Sequence, residues 1–231
     1  MFDLIIFDCD GVLVDSERIS NAVFAEMLGE LGLHFTLPEM FEIFVGRSMT
    51  ACVEIIEHRL GHPLPTDFLP RLTQRTNEAY AAQLKPVTGI ETVLNTLDVP
   101  FCVASSGTVE KMRTTLGVTG LLKYFENRLF SATQVAHGKP HPDIYLYAAQ
   151  QMDADPVRCL VVEDSPVGVE AGTAAGMTVF GYAEIMEPRR LLAAGAVTTF
   201  HNMAQLPQLI AERGSACDHS VAVPGERNGQ R

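Results

Sequence analysis

Two aspartates spaced two apart, Asp8 and Asp10, end a short apolar run and are followed at once by Gly11. Such a pair can bind a hard cation, attack phosphorus or carry protons, and the glycine lets the backbone turn beside it. Further along, Ala104-Ser105-Ser106-Gly107 offers hydroxyls and free backbone N–H groups ahead of a helical pattern, a combination suited to an anion. Val162-Glu163-Asp164-Ser165 places two more acids after another apolar run. Gly138-Lys139-Pro140 sets one of the chain's four lysines in a rigid turn. Singly, each signal is weak. D-x-D-G also begins calcium loops and plain turns, an acidic pair after a strand is more often a helix cap, and a lone Ser or Lys there is usually incidental. All four together, each at a strand end or in a tight turn, point to chemistry. Several carboxylates on one edge repel one another and are costly to bury uncompensated. A divalent cation resolves this, and oxygen ligands with a phosphate partner favour magnesium over zinc. One carboxylate can then attack phosphorus, a second can move protons, and a Ser and a Lys can hold the phosphoryl oxygens.

Those residues need strands to carry them. Apolar runs at Leu4–Phe7, Phe101–Ala104, Arg128–Phe130, Cys159–Val162 and Thr178–Gly181 are short and continuous rather than alternating, as expected for strands covered on both faces. Helical patterns lie between them at 108–116, 142–152 and 166–175. Strands alternating with helices predict a parallel α/β sheet of Rossmann-like type. From Ser16 to Leu84 the rhythm breaks into consecutive helices at 19–31, 49–60 and 67–83, predicting an inserted helical cap. The expected organisation is thus a core of residues 1–15 and 85–214, a cap of 16–84, and a polar, Gly-rich, disordered tail over 215–231.

The 231 residues carry a formal net charge of -11, which argues against a nucleic-acid footprint. The five cysteines are odd in number and form no C-x-x-C pair, so they read as reduced residues of a cytoplasmic protein. The N-terminal run lacks a basic leader, and no apolar stretch approaches the length of a membrane span. Neither a membrane nor an obligate protein partner is expected.

The D-x-D-G-V-L-V-D-S-E run, the later Ser, the G-K-P-x-P-D segment and the E-D-S together resemble the four motifs of the haloacid dehalogenase superfamily. The resemblance covers roughly Asp3 to Gly214, and the insertion resembles the small helical cap of the β-phosphoglucomutase-like phosphatases. It implies a phosphatase with Asp8 as nucleophile and Asp10 as general acid and base. It implies that Ser105, Lys139 and the Ser106 N–H bind the phosphoryl group. It also implies magnesium held by Asp8, the Asp10 carbonyl and Asp164, with Glu163 close by.

Residue choices narrow the chemistry within that superfamily. Dehalogenases lack the second aspartate, which is present here as Asp10. Phosphonate-cleaving relatives need a cap lysine, and residues 16–84 contain none. Mutases carry a His that aligns with Ser20, so a phosphosugar mutase is the alternative, and a non-catalytic phosphate- or metal-binding module a more distant one. A cap that closes over the site suits a small phosphorylated metabolite, a sugar phosphate or phosphosugar acid. The pattern resembles that of bacterial 6-phosphogluconate phosphatases, and Arg47 at a cap turn either pairs with a substrate carboxylate or is a solvated charge. His137 and His141 read as loop residues and Cys9 as a packed core thiol.

Overall fold

The computed structural model describes residues 2–45, 47 and 49–217. β1 (Leu4–Phe7) is apolar and buried at every position. The chain then leaves the sheet for α1 (Ser16–Glu30), α2 (Leu37–Phe44), α3 (Met49–Leu60) and α4 (Phe68–Gln83). It returns through α5 (Ile90–Thr96) to β2 (Phe101–Ser105) and α6 (Val109–Val118). Strands and helices alternate thereafter: β3 (Leu129–Ser131), α7 (Asp143–Gln151), β4 (Cys159–Glu163), α8 (Pro166–Ala174), β5 (Thr178–Tyr182), α9 (Pro188–Ala193), β6 (Thr198–Phe200) and α10 (Leu206–Cys217). The strands form one sheet in the order β3-β2-β1-β4-β5-β6, every pair parallel.

Parallel pairing puts all the carboxyl ends on one edge, and the strand order reverses direction beside β1. Ligands in open α/β sheets bind at that point. Side chains alternate across the sheet with period two. Ile5 and Phe7 join Val103 and Val162 in one hydrophobic cluster, with Ile90 of α5 and Met112 of α6. Leu4 and Ile6 join Cys102 and Val161 in the opposite one, with Tyr145 of α7 and Val169 of α8. Both faces are therefore covered, which is why the strand sequences are continuously apolar.

The four inserted helices have a core of their own, in which Phe24, Met27, Leu28, Phe44, Ile56 and Phe68 pack together. The two strands of chain joining the insert to the sheet run side by side. Asp15 N donates to Lys85 O at 3.0 Å, and Val87 N donates to Leu13 O at 2.9 Å.

Several elements differ from the sequence expectation. β2 and β4 each run one residue further, so Ser105 and Glu163 are the last residues of their strands rather than the first of their loops. β6, α2, α5, α9 and α10 were not anticipated from the sequence. α2 opens with a capping box in which Thr36 and Glu39 bond each other's backbone N–H. α10 continues to Cys217, past the expected start of the tail at 215; residues 218–231, where the rest of that expectation falls, lie outside the described residues.

Candidate active site

Asp8 follows β1 directly, and its N–H extends the ladder by donating to Val162 O at 3.0 Å. The chain then turns sharply, with Val14 N donating back to Cys9 O at 3.1 Å. Gly11 makes this possible twice over. Its φ is +76°, and a Cβ there would lie 2.0 Å from Asp164 Oδ2. Glycine is needed both for the left-handed backbone and for the approach of the β4 acid to the β1 loop.

Lys139 reaches the same place from the loop before α7. Its Nζ donates to Asp8 Oδ1 at 2.6 Å and to Glu163 Oε1 at 2.7 Å, and the side chain is 4% exposed. Burial disfavours the ammonium, but Asp8 and Glu163 outweigh that and hold its pKa well above the usual lysine value. Asp8 is less well compensated. Burial pushes its carboxyl up to about 7 despite Lys139, with Glu163 and Asp10 adding to the shift. Burial, and then the neighbouring Glu163, Glu17 and Asp8, push Asp164 well above the carboxylate range.

Glu163 is 1% exposed and has both oxygens occupied by protein donors. Oε1 accepts from Lys139 and from the Tyr145 hydroxyl at 3.1 Å. Oε2 accepts from Ser165 N at 2.8 Å and Ser165 Oγ at 3.0 Å. The first turn of α8 opens to admit this carboxylate only because residue 168 is glycine: a Cβ there would sit 1.6 Å from Glu163 Oε1. Glu163 thus lies beside Asp8 and Asp164 on the cavity where the resemblance places a metal. The lone pairs of Glu163 are committed to four protein donors, and its geometry serves to hold Lys139.

Asp8, Asp10, Ser105, Ser106, Lys139 and Asp164 converge on one cavity of about 200 Å³, whose wall Glu163 completes. Ser105 Oγ accepts from Gly107 N at 3.1 Å, which shapes the turn after β2. Asp10 is half-buried; its Oδ2 accepts from Lys111 Nζ at 2.6 Å, while its Oδ1 is buried without a partner among the described residues. Five carboxylates line this cavity, those of Asp8, Asp10, Glu17, Glu163 and Asp164, against the single ammonium of Lys139. An anionic ligand could not enter that field unaided. Among the described residues no group of three or more His, Cys, Asp or Glu side chains forms a metal-holding cluster. Of the residues on this cavity, the carboxylates of Asp8 and Asp164 could serve a cation. That suits a hard ion that keeps several of its waters.

A second cavity of about 410 Å³ adjoins the first under the helical insert. Arg47 lines it rather than the acidic cavity, and its Nε donates to Ile43 O at 2.7 Å. Residues 46 and 48, on either side of it, lie outside the described residues. Ser20 also lines this space, its hydroxyl donating to Glu17 O at 3.2 Å. Sequence reasoning missed Lys111 and Glu17. The i, i+3, i+4 pattern of α1 could have shown Glu17 on the face of Ser20 and Asn21, but nothing in α6 distinguishes Lys111. His137 and His141 do lie in a loop, with His137 Nδ1 3.0 Å from Asp143 Oδ2. Cys9 is 2% exposed, and burial raises its thiol pKa well above the ordinary value.

This arrangement has close counterparts. The profile of the haloacid dehalogenase-like hydrolases matches residues 5–182. The chain is 31% identical over 213 residues to 6-phosphogluconate phosphatase of Escherichia coli K12, covering 92% of this chain and 96% of that protein. A haloacid dehalogenase-like protein of unknown function from Agrobacterium tumefaciens is 35% identical with a TM-score of 0.88, over 93% of this chain and all (100%) of that one. A hydrolase of the same family from Deinococcus radiodurans, solved with bound phosphate and sodium, is 34% identical with a TM-score of 0.81, over 92% of this chain and 96% of that one. The chain belongs to the haloacid dehalogenase-like hydrolases and is a phosphoric monoester hydrolase.

Proposed function

We propose that this hydrolase is a magnesium-dependent phosphatase of small phosphorylated sugars or sugar acids, acting through a phosphoryl group carried on Asp8. The observation that carries this reading is the position of Asp8. It stands at the end of the central strand, in a small polar cavity, with one oxygen fixed by Lys139 at 2.6 Å and with Ser105, Ser106 and Asp10 around the same space. Asp8 attacks phosphorus, forming one P–O bond as the ester P–O bond breaks. Asp10 gives its proton to the departing oxygen, then takes one from the water that attacks the aspartyl phosphate. Lys139, Ser105 and the Ser106 N–H bind the transferring oxygens, and Glu163 keeps Lys139 aimed at them. Asp8, Asp164 and the Asp10 carbonyl would hold magnesium, which when bound supplies the positive charge that this acidic cavity lacks.

Residues 16–84 act as a cap over a core of 1–15 and 85–214, and the two adjoining cavities suit a phosphoryl group in one and a sugar-sized remainder in the other. Arg47 lines the cavity under the cap and would there meet a sugar-acid carboxylate, which makes 6-phosphogluconate the leading candidate. Among the described residues no helix is long and apolar enough to cross a membrane, in keeping with a cytoplasmic enzyme of metabolites.

Phosphate release from a panel of sugar phosphates and phosphosugar acids, with and without magnesium, tests this reading. Release should require magnesium, stop on chelation and be fastest with a phosphosugar acid. Silence across the panel would overturn it. Conversion of a sugar 1-phosphate to the 6-phosphate without free phosphate would replace it with a mutase, although Ser20 stands where a mutase has its imidazole.

A further inference from the structure

We propose that Lys111 is the positioning residue for Asp10, and that it ties the proton donor to the part of the substrate lying under the cap. The inference rests on the phosphatase reading above and goes beyond it by assigning a residue whose role no motif of the sequence suggested.

The two cavities share a wall. Glu17 and Val45 line both; of the two, Asp10 lines the acidic cavity and Lys111 the one under the cap, and Lys111 with Tyr80 and Ser106 also lines a further cavity of about 560 Å³. The 2.6 Å ion pair between Asp10 Oδ2 and Lys111 Nζ therefore passes through that wall. It is the one polar contact of the Asp10 carboxylate among the described residues, since Oδ1 is buried without a partner. A carboxylate held at one oxygen takes its orientation from that contact.

Lys111 is itself well fixed. It stands in the first turn of α6, where its backbone N–H donates to Thr108 Oγ1 at 3.1 Å. Its ammonium lies 5.8 Å from the centre of the Tyr80 ring, which α4 of the insert brings down on it. One side chain thus touches the proton donor in the core, an aromatic ring of the cap, and the space for the organic part of the ester.

Such an arrangement has a specific chemical consequence. In the first half-reaction, orienting Asp10 matters only when the departing oxygen needs a proton, whereas its work as base toward water is common to every ester. A sugar alkoxide needs one. The p-nitrophenolate ion leaves without one, and its ester still requires Asp8, Ser105 and Lys139. Loss of Lys111 should therefore be felt in proportion to the basicity of the leaving group, whereas a general weakening of phosphate binding or of the fold should affect both esters equally.

The test compares wild type, Lys111→Met and Lys111→Arg on the best sugar phosphate of the panel and on p-nitrophenyl phosphate, with magnesium. For Lys111→Met, kcat/KM, which reports the first half-reaction, should fall on the sugar ester by a factor approaching the ~10² of a lost general acid. Its loss on p-nitrophenyl phosphate should be at least about tenfold smaller, and Lys111→Arg should recover most of the difference. Equal losses on the two esters, or no loss on either, would overturn the assignment. A wild-type enzyme silent on both would instead overturn the phosphatase reading beneath it.

Discussion

Asp8→Asn should release phosphate from no ester at a measurable rate, a fall on the order of 10⁴ or more in kcat, comparable with removal of a nucleophile elsewhere. The amide cannot form the acyl phosphate and is a poorer ligand for a hard cation. The same variant should be more stable than wild type in magnesium-free buffer at pH 8. Asp8 has its carboxyl at about 7 in the folded protein, against a reference value of 3.8, because burial penalises its charge. A carboxylate whose folded pKa is raised costs stability once the unfolded chain ionises. The penalty is absent below pH ~4, grows as pH rises to ~7 and then stays constant, amounting to a few kcal/mol by order of magnitude. Asparagine cannot ionise and can still accept from Lys139. Urea titrations at pH 8 and pH 4 should show a gain for Asp8→Asn at the higher pH and little difference at the lower. Near-normal turnover would remove Asp8 as nucleophile, and an unchanged midpoint at pH 8 would contradict the strained burial of its charge.

Lys139→Met should be the most destabilising single change in the site. Lys139 Nζ is shared by Asp8 and Glu163, and the side chain is 4% exposed. Methionine fills the volume but leaves two carboxylates facing each other in a space that water scarcely reaches. Removing one partner of a buried ion pair costs about 3–5 kcal/mol. The loss should shrink as pH falls, because Asp8 can then take up a proton and leave only one charge unpaired. Measured by urea unfolding, the defect should be largest at pH 8 and clearly smaller near pH 5. Phosphate release should fall by at least ~10²-fold, as for removal of a preorganised donor to the transferring oxygens. A stable, active Lys139→Met would mean that the ammonium neither compensates the acids nor binds the phosphoryl group.

Much of the architecture was legible because its physical causes are local. A strand covered on both faces must be apolar throughout, so β1, β2, β4 and β5 stand out as continuous runs. Three of the four inserted helices were equally plain, since consecutive helices with no strand between them break the alternation. β6 was missed because Thr198-Thr199-Phe200 holds one apolar residue and so makes no apolar run. α2 was missed although Thr36-Leu-Pro-Glu39 is a readable capping signature. In the site, the four motif segments could be assembled from sequence alone, because a parallel sheet must bring its carboxyl ends to one edge. What could not be read were contacts made between distant parts of the chain. Asp10 and Lys111 are 101 residues apart, and the helix bearing Lys111 carries no signal for it. Glu163 was read as close to the metal because it stands beside Asp164, and only folding brings Tyr145, Ser165 and Lys139 onto its two oxygens.

The most direct test is to catch the phosphoryl group on the enzyme. Wild type mixed with the best ester and magnesium would be quenched in acid within the first turnovers, digested and mapped by mass spectrometry. One hydroxylamine-labile phosphoryl group should appear on the peptide carrying Asp8 and disappear as the ester is exhausted, with none on Asp8→Asn. Phosphate release without any phosphorylated peptide, or with the group on another residue, would contradict covalent catalysis by Asp8.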